Sequence, residues 1–216
     1  MAIVLSSNKY HIELDSKTII GVMGEYEKIF KALSSNNVYY IEKLFSVSNK
    51  KVSSLFDNVD IDLLKECNLG EEVLNKRINE LSHSEQKLLK YVLMLLSNKN
   101  IIIIDEPYLD LDYDNKKRIN LLIKRLVKEN KTIIVGSNDS NIIYSLCKKI
   151  LLINDSEYYY GGVDTFKNIE ILKKYHIDMP DLVYFTDLAR KKNIKIGYFK
   201  DVRDLIKDVY RNVSQK

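Results

Sequence analysis

The run "NIIIIDEPYLDLD", Asn100 to Asp112, constrains the fold more than any other stretch of this chain. Four isoleucines in a row show no alternation, so a strand built from them must be buried on both faces. That is the pattern of a strand inside a parallel sheet covered by helices. Two acids and a proline follow at once, and the C-terminal ends of strands are where open α/β sheets place their ligand sites. A carboxylate there, Asp105, can hold a cation through oxygen, and the adjacent Glu106 can act on a water.

The rest of the chain alternates strands with helices. "TIIGVM", Thr18 to Met23, is a short apolar strand ending at a glycine, and Glu25 to Leu33 has helical spacing. Val38 to Ile41 is a second strand, and the polar stretch about 42–80 reads as a helical insert with pieces near Ile61 to Cys67 and Glu71 to Ile78. Ser82 to Leu96 and Tyr113 to Lys128 are helical. Thr132 to Val135 is a buried strand, Ile142 to Lys149 a short helix, and "KILLINDSEYYYGG" two strands turning at Asn154 to Ser156. Such alternation argues for an α/β fold with right-handed crossovers. After Phe166 only helices follow, one starting at Pro180. The expected organisation is therefore 1–164 as the α/β domain and 165–216 as a helical region.

Composition narrows the class. With 45% hydrophobic and 30% charged residues, the chain is not of the disordered type. Its net charge of +4 resides in the tail, where 12 Lys/Arg face 7 Asp/Glu from Phe166 onward. These charges alternate in sign along helical stretches, the pattern of a solvated face, so nucleic acid is not an expected partner. "MAIVLSS" lacks the basic flank of a signal peptide, and "LLKYVLMLL" is interrupted by Lys90 and far too short for a membrane span, which predicts a cytoplasmic location. Cys67 and Cys147 have no partner motif and read as reduced core thiols.

Taken as one block, "LSHSEQKLLKYVLMLLSNKNIIIIDEPYLDLD", Leu81 to Asp112, resembles the ATP-binding-cassette (ABC) ATPase family. In that family a Leu-Ser-Gly-Gly-Gln/Glu signature opens a helix leading to the Walker B strand, and the spacing from Leu81 to Asp105 fits without gaps. The resemblance implies a P-loop-NTPase-like parallel sheet flanked by helices, a reduced ABC nucleotide-binding domain, with ATP and Mg²⁺ as cofactors. It makes Asp105 the metal ligand and Glu106 the catalytic carboxylate. It also implies pairing with another ABC ATPase subunit, as a homodimer or a heterodimer. Ser82, His83, Ser84 and Glu85 would then face ATP bound to that partner, Ser82 touching its γ-phosphate. His83 and Ser84 replace the two glycines of the signature. Read from the residues alone, Ser82 is a helix N-cap and Glu85 completes a capping box; both readings stay open.

The Walker A segment departs most from the family. Aligning "TIIGVMG" with its strand and first glycine leaves Gly21, Gly24 and Lys28 as a contracted remnant. Lys28 stands too close to Gly24 and lacks its flanking Gly and Ser/Thr. Glu25 and Glu27 bring negative charge to a helix start that otherwise suits anions. Asn138 occupies the H-loop position, where an amide can hydrogen-bond phosphate but cannot carry the charge of imidazole. His11, His83 and His176 lie elsewhere, and no glutamine falls in the sensing position, where Glu42 or Lys43 stands. The antiparallel flank is short, and Tyr10 there reads either as a buried or edge-strand tyrosine or as a residue that stacks on adenine. At roughly 1.5–3 kcal/mol per charge-assisted bond, losing the lysine and two or three amides removes on the order of 6 kcal/mol, or about four decades of affinity.

The tail, "LKKYHIDMPDLVYFTDLARKKNIKI", is similar to the C-terminal region of energy-coupling-factor (ECF) transporter ATPases, which energise uptake of vitamins and metal ions. The matching pieces are Ile171 to Tyr175, Pro180 and Leu182 to Lys192. That resemblance implies a dimerisation region, a transmembrane transporter subunit as partner, and a peripheral place at the inner face of the membrane. The leading expectation is a degenerate, ECF-like ABC subunit with an impaired site of its own, paired with a competent ATPase. A nontransport pseudo-ATPase scaffold, and an active ATPase with an atypical phosphate loop, are the alternatives.

Overall fold

The structure is a computed structural model and describes residues 2–6, 11–27, 30, 38–42, 49–155 and 157–213. In chain order its strands are β1 (Ala2–Ser6), β2 (His11–Asp15), β3 (Ile19–Gly24), β4 (Val38–Ile41), β5 (Ile101–Asp105), β6 (Thr132–Gly136), β7 (Lys149–Ile153) and β8 (Tyr158–Gly162). The α-helices with full bounds are α1 (Ile61–Glu66), α2 (His83–Ser97), α3 (Tyr113–Lys128), α4 (Ser140–Leu146), α5 (Ile169–Lys174), α6 (Asp181–Lys191) and α7 (Val202–Val213). The chain separates into two compact units, Met1–Thr18 with Glu27–Gly136, and Ile19–Tyr26 with Ser137–Lys216.

In the first unit β1 and β2 form an antiparallel pair, while β4, β5 and β6 run parallel with Ile41 level with Ile104 and Asp105 level with Gly136. The aliphatic run behaves as its sequence requires: Ile102, Ile103 and Ile104 are each at most 1% exposed. Helix α3 lies against β6 through Ile119, Leu122, Ile123 and Leu126, whose spacing makes one apolar stripe, and α2 lies against β4. Asp112 starts α3 by accepting the Asn115 N–H at 2.8 Å, and Arg125 and Lys128 end it, matching the helix dipole at both termini.

The stretch expected to be a helical insert is less helical than that over its described residues, 49–80. It holds α1 and three 3₁₀ turns, Val52–Leu55, Glu71–Asn75 and Ile78–Glu80. Main-chain bonds of 3.0 Å from Val52 N–H to Lys76 O and from Ile78 N–H to Lys50 O tie its two ends together. The left-handed Asn68 at φ 60° stops α1 within six residues.

In the second unit β3 and β7 are parallel, and β8 returns antiparallel to β7. The expected turn forms, with the Asn154 N–H donating to Glu157 O at 3.2 Å and Asn154 Oδ1 accepting from the Glu157 N–H at 3.0 Å. Helix α4 approaches β3 so closely that a Cβ on Gly21 would stand 2.4 Å from Ile143 Cγ2. Gly21 is thus a packing glycine inside the strand. Pro180 caps α6, as expected from the sequence. The helices after Phe166 do not stand apart as 165–216: they belong to the unit of β3, β7 and β8. Asn141 and Asp181 exchange bonds of 3.1 and 2.8 Å, Lys200 Nζ donates to Cys147 O, and Tyr144 meets Phe166 edge to face. Ala189, Ile196 and Leu205 close a small core among the helices.

Gly24 ends β3 with φ 90°, and a Cβ there would lie 2.0 Å from the main-chain oxygen of Ile153. Neither the backbone angle nor that carbonyl can yield cheaply. Gly24→Ala is expected to destabilise the chain by at least about 2 kcal/mol, read as a lower urea midpoint at constant slope. An unchanged midpoint would mean that β3 does not end in this conformation.

Candidate functional site

Strand β5 delivers Asp105 to its C-terminal end almost wholly enclosed, 4% exposed. The hydroxyl of Tyr40, at the end of the neighbouring β4, donates to Asp105 Oδ2 at 3.4 Å, and the Phe30 ring stands edge-on to Tyr40. Burial, and then the Asp105 charge, push the Tyr40 phenol above its usual range, so the hydroxyl keeps its proton. Glu106 follows in the left-handed conformation, φ 47°, its N–H donating to Gly136 O at 2.9 Å. The turn continues with the Leu109 N–H on Glu106 O at 3.3 Å and a second left-handed residue, Asp110, at φ 61°. Two non-glycine residues in this region within five positions make the segment after β5 a strained one, the kind of backbone found at functional sites.

Helix α2 begins at the signature-like segment and realises the capping box. Ser82 Oγ accepts the Glu85 N–H at 3.2 Å, and Glu85 Oε2 accepts the Ser82 N–H at 2.8 Å. Glu85 also pairs with Lys76 at 2.9 Å; burial raises its carboxyl, but the Lys76 and Ser82 hydrogen bonds outweigh that and hold it below the usual range. His83 is 81% exposed in its side chain, with Nδ1 3.8 Å from Asp110 Oδ2, and Ser84 is half-buried. The Gln86 amide donates to the main-chain oxygens of Ile78 and Leu81, fixing the chain that enters the helix.

The same helix carries residues that reading the sequence did not single out. Lys87, 4% exposed, donates from Nζ to the main-chain oxygen of Asp105 at 2.8 Å. Burial and then the neighbouring Lys90 pull its ammonium down to about 8, against the opposing pull of Asp105, Glu106 and Asp110. One turn on, the Tyr91 hydroxyl donates to Pro107 O at 2.9 Å, and Lys90 reaches Glu42 O at 2.7 Å. The available signal was Lys87 itself, a charge on the helix face that Tyr91 and Met94 continue into the core.

In the other unit, Gly24 and Asn138 are brought together. The Gly24 N–H donates to Asn138 Oδ1 at 2.8 Å, and the next amide, Glu25 N–H, donates to Ile153 O at 3.2 Å. The loop bearing Asn138 is itself held, with the Ser137 N–H on Val22 O at 3.2 Å and Asp139 capping α4 through the Asn141 N–H at 2.8 Å. Of the residues expected to form the phosphate cradle, Gly21 lies within β3 and Gly24 at its end, while Lys28 lies outside the described residues, as do Lys43 and Tyr10. Tyr26, Glu27 and Phe30 are helical, as expected from the spacing there.

No protein-family model matches the chain. Among curated proteins it is 28% identical over 159 residues to the zinc import ATP-binding protein ZnuC of Ehrlichia chaffeensis, covering 73% of this chain and 63% of that protein. It is 24% identical over 208 residues to the energy-coupling factor transporter ATP-binding protein EcfA3 of Oenococcus oeni, covering 94% of this chain and 70% of that one. The chain thus spans only part of the length of the curated relatives it matches. Among solved structures, one described as an inward-facing conformation of a putative metal-chelate type ABC transporter superposes with a TM-score of 0.65 at 17% identity, over 77% of this chain and 80% of that one. Among the described residues no helix is long and apolar enough to cross a membrane. The strand order within each unit, the Leu81 to Asp112 block and these similarities agree: this chain is a relative of the ABC ATP-binding subunits, energy-coupling-factor subunits among them, and has the fold of their nucleotide-binding domain.

Proposed function

We propose that the chain is a degenerate ABC subunit of an ECF-like membrane transporter, impaired in its own nucleotide site and paired with a competent ATPase. One observation carries the reading. The two amides that open the contracted loop, those of Gly24 and Glu25, are already bonded within the fold, to Asn138 Oδ1 and Ile153 O. A phosphate gains no unsatisfied donor from these two amides. It would have to displace an amide oxygen and a main-chain carbonyl, and a bond exchanged for a bond contributes little net free energy. These two amides therefore offer no cradle to a nucleoside triphosphate in this chain's own site, and no hydrolytic step is assigned to Glu106. The tyrosine hydroxyl on Asp105 weighs the same way, because one oxygen of the carboxylate that would hold Mg²⁺ is engaged by the protein.

The signature end supports the second half of the proposal. Ser82 and His83 are exposed at the start of a 15-residue helix, and the relatives named above are ATP-binding subunits of transport systems. In this reading Ser82 faces the γ-phosphate of ATP held by the partner, and α2 carries movement between that ATP and membrane helices. The protein acts at the inner face of the membrane, without entering it.

An equilibrium titration of the isolated chain with Mg²⁺ and a fluorescent ATP analogue, competed with unlabelled ATP, tests the impaired site. The expected result is no saturable, competed binding up to about 1 mM. Competed binding at micromolar concentration would overturn the claim and restore an active ATPase with an atypical loop.

Ser82 separates the transporter subunit from a scaffold that only uses the fold. Ser82→Ala costs about 1 kcal/mol of the chain's own stability through the lost cap. In the assembled pair it is also expected to lower ATP turnover by the partner, whereas Ser82→Thr, which keeps cap and hydroxyl, retains turnover. Equal turnover in all three would assign Ser82 to capping alone.

A further inference from the structure

Helix α2 touches the main chain on both sides of Glu106, and nothing in the reading of the ABC motifs requires it to. Lys87 and Tyr91 stand four residues apart and therefore on one face of the helix. Lys87 Nζ donates to Asp105 O at 2.8 Å, and the Tyr91 hydroxyl donates to Pro107 O at 2.9 Å. The two acceptors are the carbonyls of the residues immediately before and after Glu106. Both side chains are enclosed, Lys87 at 4% and Tyr91 at 0% exposure.

We infer that Lys87 and Tyr91 are positioning residues that clamp the segment after β5 onto α2, holding Glu106 in its left-handed conformation without any ligand. The chemistry favours this over plain packing. An ammonium and a phenol are expensive to bury, and apolar side chains of similar length would fill the same volume. What only the polar ends supply is a donor for each carbonyl. Those carbonyls flank a residue whose φ of 47° is unfavourable for a non-glycine residue and persists only where its surroundings over-determine it. The Glu106 N–H on Gly136 O at 2.9 Å is the third point of attachment, so the peptide groups around Glu106 are held from α2 and from β6. The same helix starts at Ser82, and His83 faces Asp110 of the same turn at 3.8 Å. The start of α2 and the segment 105–110 consequently move as one piece: whatever displaces Ser82 displaces Glu106.

Amide hydrogen exchange on the full chain, without nucleotide, resolves this residue by residue. Tyr91→Phe keeps the ring and removes one donor; Lys87→Met keeps the stem and removes the other. Each is expected to accelerate exchange at the Glu106 and Leu109 amides by about tenfold or more, with the amides of Ile102 to Ile104 unchanged. Lys87→Arg, which retains a donor, is expected to restore most of the protection. Unchanged exchange at Glu106 in the folded Tyr91→Phe variant would overturn the clamp. So would a uniform acceleration across β5 and α2, which marks a general loss of stability. If Lys87→Met does not fold, Tyr91→Phe decides alone. No ATP and no partner enters the measurement, so its failure is distinct from any failure of the proposed transporter role.

Discussion

A strand buried on both faces can hold charge only at its ends, and that constraint arranges everything else in this molecule. The isoleucines of β5 admit no polar side chain along their length, so the first residue that can be ionised is Asp105. Because β5 and β6 are parallel with Asp105 level with Gly136, the chain leaving β5 finds the Gly136 carbonyl within reach of its next amide. In the other unit the parallel pairing of β3 with β7 sets Gly24 level with Ile153, and the carbonyl of Ile153 takes the Glu25 amide. In each unit the exit from a strand is sealed by its parallel neighbour.

Closure of this kind makes each strand exit a structural joint. A helix start attracts anions because its first amides lack acceptors. The two amides just before the helix that follows β3, those of Gly24 and Glu25, already have acceptors in Asn138 and Ile153, at 2.8 and 3.2 Å. The strained turn after β5 has been treated in the same way. Its carbonyls are bonded by Lys87 and Tyr91, and the Asp105 carboxylate by Tyr40, so its shape follows from side chains that travel with the fold.

How far the sequence led depended on the range of the interactions involved. The β5 run, the stripe of α3, the Asn154 turn and the capping box at Ser82 are all local, decided by residues within one strand or two helical turns of each other. They were legible. The pairing of Gly24 with Asn138 joins residues 114 apart, and although both were singled out, nothing in either segment announces the bond between them. Alignment with the family's strand and first glycine gives Gly21 a phosphate role, yet its neighbours are Ile143 of α4 and Cys147 just after that helix, far along the chain. A lysine in a helix usually lies on the solvated face, and only the acceptor 18 residues ahead explains the burial of Lys87. The C-terminal helices read as separate because their composition changes, but bonds such as Asn141 to Asp181 bind them to α4.

The contrast between the two ends of the candidate site comes down to hydrogen-bond capacity. A main-chain N–H has a single proton. Once Gly24 gives it to Asn138, that amide has no second proton for another acceptor. A serine hydroxyl has one donor and two acceptor sites. The capping box uses an acceptor site of Ser82, taking the Glu85 N–H, and leaves the hydroxyl proton to be directed outward from the helix start. Capping the helix and donating to a second acceptor are therefore compatible at Ser82, whereas the Gly24 N–H serves one acceptor at a time. The proposed division between the chain's own site and its partner's rests on that difference between an amide and a hydroxyl.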